Sequence, residues 1–160
     1  MKKSFEYIIK ISETEFYDKL KKHTAFNCSF SSYDNGYEFY CDDPNNITDL
    51  KVTPTSLLSR EGILAPLIKI QTKQLDENLK VNLTLQSNKI YYFLAVLFSL
   101  AGVLFGLITY FSLANLCLAI IISIVFILII NLVFFIIAKS KITDAKERFE
   151  SVMIFNGHYC

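Results

Sequence analysis

The chain has 160 residues, a formal net charge of +1 and an apolar share of 52%. Its first 89 residues carry 12 basic and 12 acidic side chains, a balance that excludes the concentrated basic face of a nucleic-acid binder. Cysteines at 28, 41, 117 and 160 show neither C-x-x-C nor zinc-type spacing, which excludes a zinc module and leaves free thiols as the expectation in a reducing compartment.

At the N-terminus, Met1-Lys2-Lys3 leads into Ser4, Phe5 and Glu6 with no apolar core of signal-peptide length, so the first expected export signal lies further on. Phe5, Tyr7, Ile9 and Ile11 sit at every second position, the period of a half-buried strand. Ser12 followed by Glu15 reads as a capping box. The acidic first turn and Lys19, Lys21 and Lys22 in the last turn complement a helix dipole over about residues 13 to 22. Phe16 and Leu20, four apart, mark its buried stripe.

Asn35-Gly36 is a strong two-residue hairpin signal, because a type I′ turn needs positive φ at both central positions. Pairing outward from it puts Phe26, Cys28 and Phe30 on one face with Tyr37, Phe39 and Cys41, and polar side chains on the other. In that register Cys28 and Cys41 are diagonal neighbours, expected to be small buried apolar residues and not a disulfide.

Pro44 marks a turn, and Leu50 and Val52 a short strand before Pro54; residues 56 to 62 fit no single template. A second hairpin is expected with Leu67 to Lys73 extended, a turn near Asp76-Glu77-Asn78, and Leu79, Val81, Leu83 and Leu85 alternating with polar residues. The expected class for residues 1–89 is α+β, an antiparallel sheet with one short helix.

From Ile90 to Ala138 no Asp, Glu, Lys, Arg or His occurs. About 20 apolar residues cross a bilayer core, so this run reads as a transmembrane helical hairpin, 90–138, with spans at about 91–111 and 116–138. Tyr91, Tyr92, Tyr110 and Phe111 occupy interface positions. Only Ser87, Asn88 and Lys89 separate the last strand from the first span, a link short enough to hold the domain at the lipid surface.

Within the spans, Gly102 and Gly106 form a small-xxx-small pattern that lets helices approach closely. Asn131 is the strongly polar residue of the second span. Counting outward from the turn puts it at the depth of Ser99, and a hydrogen bond between the helices is expected. Ser99, Gly102, Gly106 and Asn131 are therefore the candidate helix-packing residues. Lys89, Lys139 and Lys141 flank the spans and are the candidate lipid-headgroup contacts, while the turn is uncharged. The positive-inside rule then predicts both termini in the cytoplasm, with the bacterial inner membrane as the expected location. Residues 139–160 form an amphipathic helix and tail, with Ile142, Ala145, Phe149, Val152 and Met153 on one face. That face could dock on the sheet or lie on lipid.

No Walker loop, G-x-G-x-x-G, G-x-S-x-G or H-E-x-x-H occurs. His158 near Cys160 supplies two potential metal ligands where structural zinc takes four. No catalytic residue, cofactor or metal is expected, and the protein reads as a non-enzyme. In its order of parts it resembles small uncharacterised bacterial two-span membrane proteins with an N-terminal cytosolic sheet domain. The resemblance is one of architecture and implies no activity. The expected function is a membrane-tethered binding or scaffold module, whose partners are the lipid bilayer and a protein or a second copy meeting it through the spans. Alternatives are a subunit of a small oligomeric transporter or pore, and a toxin-immunity or accessory membrane protein.

Overall fold

The computed structural model describes residues 1–26, 36–52, 65–113 and 115–155. The chain divides into two units, residues 1–88 together with 141–160, and residues 89–140.

The first unit is built on strands β1 (Lys2–Ile9), β2 (Thr24–Phe26), β3 (Phe39–Cys41), β4 (Asp49–Val52), β5 (Leu67–Leu75) and β6 (Asn78–Gln86), with helix α1 (Glu13–Lys22) after β1. The strands make one sheet in the order β1-β6-β5-β4-β3-β2. Its long central hairpin, β5–β6, pairs Leu67 with Gln86 through to Leu75 with Asn78. The loop is Asp76-Glu77, and Asp76 takes a positive φ of 49°, a conformation that aspartate tolerates better than most residues. Helix α1 begins where its cap dictates: the Ser12 hydroxyl accepts from the Glu15 amide at 3.2 Å, satisfying one orphan donor of the first turn.

The sheet is mixed, not purely antiparallel. β2 and β3 run parallel, with Thr24 beside Phe39 and Phe26 beside Cys41, so they are not the two arms of a hairpin closed at Asn35-Gly36. Asn35, Cys28 and Phe30 lie outside the described residues, as do residues 53–64; Gly36 has the positive φ, 76°, that a turn glycine supplies. The expected face is kept in part. Phe39 and Cys41 are buried and Phe26 packs against the same core, whereas Tyr37 is exposed. The reversal has a physical origin. β2 begins at Thr24, with only His23 between it and α1, and the His23 carbonyl accepts from both the Glu38 and Phe39 amides at 3.1 and 3.0 Å. These bonds fix the start of β3 against the start of β2, which is possible only when the strands point the same way.

One sheet face carries Leu79, Val81, Leu83, Leu85, Ile68, Ile70, Leu50, Val52 and Phe39, all buried. Helix α1 covers it with Phe16 and Leu20. A second helical cover joins α1: the last turns of helix α3 (Leu116–Phe149) and the π-helical segment Glu150–Phe155 that continues it. Ile142, Ala145, Phe149, Val152 and Met153 are all buried in this core. The amphipathic C-terminal face thus docks on the sheet, and the one-helix description of this unit is corrected accordingly.

The second unit consists of α2 (Ile90–Leu113) and the first part of α3. Asn115 starts α3, its side-chain oxygen accepting from the Leu118 amide at 3.1 Å. Both helices are long and apolar enough to cross a membrane; at 1.5 Å per residue the 24 residues of α2 extend about 36 Å.

Candidate functional site

The sequence-predicted packing residues meet in the second unit. On α2, Ser99 donates to the Ala95 carbonyl at 2.7 Å, which leaves its oxygen free to accept. Asn131 on α3 donates to that oxygen at 3.1 Å and to the Ile127 carbonyl of its own helix at 2.8 Å. Three residues further along α2, just under one turn, a Cβ on Gly102 would come within 2.8 Å of the Phe126 ring and 3.1 Å of Ile127. One on Gly106 would overlap the Ser123 hydroxyl and approach the Ala119 carbonyl to 3.2 Å. Phe98 with Phe134 and Phe105 with Phe126 flank these contacts, at ring separations of 5.7 and 6.3 Å. Residue numbers rise on α2 as they fall on α3, so the two helices are antiparallel. Glycine at 102 and 106 sets the spacing, and the Ser99–Asn131 bond satisfies polar atoms at the seam.

Of the three flanking lysines, Lys89 immediately precedes α2, whereas Lys139 and Lys141 lie within the continuous helix α3. The Lys89 carbonyl accepts from Tyr92 and Phe93 amides at 3.0 and 3.3 Å, which starts α2, and its side chain is exposed. Lys139 is exposed on α3, and Lys141, two residues on, is half-buried.

In the first unit a polar network that the sequence did not reveal holds the C-terminal helix. Glu150 accepts from the Tyr7 hydroxyl at 3.0 Å and pairs with Lys146 at 3.1 Å. Lys146 lies over the Phe5 ring at 5.1 Å. Arg148 pairs with Glu38 at 3.3 Å, and Lys19 donates to the Met153 carbonyl at 3.3 Å. Burial, then the Glu150 hydrogen bond and charge, push the Tyr7 hydroxyl far above the ordinary tyrosine range. The i, i+4 spacing of Lys146 and Glu150 was legible; their partners on β1, some 140 residues away, were not.

Cys41 is buried, and its thiol faces the carbonyls of Asp43 at 3.0 Å and Asn46 at 3.4 Å. Burial pushes it up from the ordinary thiol value, the condition of an inert structural cysteine. On the exposed sheet face Asp42 pairs with Lys51 at 2.5 Å, and hydrogen bonds from Lys51 and Tyr40 hold its carboxyl below the usual range. Among the described residues no three His, Cys, Asp or Glu side chains gather as a metal site would require. Two open, shallow concave places lie among the described residues, one lined by Ser12, Glu15 and Lys22 and another by Tyr17, Asn45 and Thr48. Comparison with models of protein families, with curated proteins and with solved structures finds no match.

Proposed function

We propose that this is an integral membrane protein of two spans whose first unit is a non-enzymatic binding or scaffold module held at the membrane. The observation that carries the reading is the distribution of polarity over α2 and α3. Asn131 donates to Ser99 at the seam, while side chains such as Phe93, Val96, Leu104, Phe111, Ile121 and Leu128 are more than half exposed. Water-soluble proteins seldom expose contiguous apolar patches beyond a few hundred Å². Lipid removes that cost, and paired helices with all backbone groups bonded internally meet its demand.

Lys89 at the start of α2 and Lys139 and Lys141 after the apolar part of α3 support a cytoplasmic position for both termini, with the lysine stems reaching headgroup phosphates. The bacterial inner membrane is the compartment this reading assigns. A pore subunit would need polar groups facing a lumen, and the engagement of Asn131 inside its own hairpin weakens that alternative. Protection against a toxin is a special case of the binding role.

Two measurements test the reading. The protein should stay in the membrane pellet after alkaline carbonate extraction. A reporter fused after Cys160 should be active only in its cytoplasmic form; release by carbonate overturns insertion, and periplasmic activity overturns the orientation.

A further inference from the structure

We propose that strand β1 is an interaction edge through which the first unit pairs with a second copy of this chain. The inference rests on the sheet alone and holds whichever function the module serves. β1 ends the strand order and is paired with β6 along its full length, from Lys2 opposite Gln86 to Ile9 opposite Leu79. It contains no proline, glycine or bulge. Among the described residues, no backbone hydrogen bond beyond that ladder reaches Lys2 to Ile9. A regular strand of eight residues therefore presents one row of unpaired N–H and C=O groups, the template on which another strand adds. The opposite edge, β2, has only three residues.

The charges on this edge complement themselves. Lys2, Ser4 and Glu6 share the face turned away from the core, and all three are exposed. Glu6 is held on that face by Lys80 at 2.8 Å, and Lys2 has no ion pair among the described residues. In an antiparallel pairing about a two-fold axis at Ser4, Lys2 stands opposite Glu6 of the second copy and Glu6 opposite its Lys2, with the two Ser4 residues facing on the axis. Opposite charges directly across a ladder favour pairing and like charges oppose it. An axis at Phe5 would set Lys2 against Ile8, and one at Glu6 would set two carboxylates against each other. The charge pattern therefore selects the Ser4-centred register and a second copy as the occupant.

Full-length protein in nanodiscs or mild detergent tests this, with Ser4→Cys compared with wild type and Ile8→Cys under the same mild oxidation. Directly opposed strand residues lie at about 4.5 to 5.5 Å between Cα atoms, within disulfide reach. Ser4→Cys should give a reducible dimer well above the background of the native cysteines; Ile8→Cys should not. Lys2→Glu should reduce dimerisation about tenfold while Lys2→Arg retains it, read by sizing or native mass spectrometry without any added cysteine. A monomeric Ser4→Cys, equal cross-linking at Ile8→Cys, or a dimer indifferent to Lys2→Glu would each overturn the proposal.

Discussion

The Asn131 amide donates across the two long helices to the Ser99 hydroxyl at 3.1 Å, joining residues 32 positions apart in the chain. The same amide also donates to the Ile127 carbonyl of its own helix, so both of its N–H groups are used within the hairpin. Asn131→Leu should therefore leave assembly unchanged and lower hairpin stability by about 0.6 to 2 kcal/mol. Sizing and unfolding in detergent check both halves, and a change of oligomeric state on Leu substitution would contradict the intrahairpin role.

Gly106 should tolerate no side chain while Ser123 faces it. Gly106→Leu is expected to cost about 1 to 3 kcal/mol by overpacking, because the added atoms meet both the Ser123 hydroxyl and the Ala119 carbonyl. Gly106→Ala should be milder and should recover in part when combined with Ser123→Ala, which removes the overlapping oxygen. Equal stability of the single and double variants would show that the glycine does not set the spacing.

Phe39 and Phe149 are fully buried with ring centroids 6.0 Å apart. Phe39→Ala and Phe149→Ala should each destabilise the first unit by roughly 3 to 5 kcal/mol. A chain ended at Ser140 removes Ile142, Ala145, Phe149, Val152 and Met153 from the core together, and its first unit should fail to fold. A cooperative unfolding transition surviving in that truncated chain would contradict the docking of the C-terminal helix.

Alkaline stability should reflect Cys41 and Tyr7. Both are raised in the folded protein above their ordinary values of 9.0 and 10.0, so both stay neutral there while the unfolded chain ionises. Their contribution is complete below about pH 9 and declines as pH rises above those values. Tyr7→Phe should flatten the part of the decline that begins near 10. Denaturant midpoints measured between pH 7 and 11 give the comparison, and identical slopes for wild type and Tyr7→Phe would count against the Tyr7–Glu150 contact.

Several features follow from the sequence because local rules dictate them. The run from Ile90 to Ala138 without Asp, Glu, Lys, Arg or His forms two helices long and apolar enough to cross a membrane. The Ser12 hydroxyl caps α1 through a bond three residues away, and the alternation through Leu79, Val81, Leu83 and Leu85 assigns every residue of β6 to its face. The depth of Asn131 relative to Ser99 came from counting outward from one turn. The partner and direction of each strand lay beyond that reach. Alternation places Phe26, Phe39 and Cys41 on one face, yet it is equally satisfied by antiparallel and parallel neighbours, and the His23 carbonyl, bonded to Glu38 and Phe39, decided for parallel. The apolar stripe from Ile142 to Met153 likewise specified an apolar partner without naming it. Only the tertiary structure, through the ring of Phe39 and the hydroxyl of Tyr7, made that partner the sheet, because burial of an apolar stripe is non-directional and the hydrogen bond to Glu150 joins residues 143 positions apart.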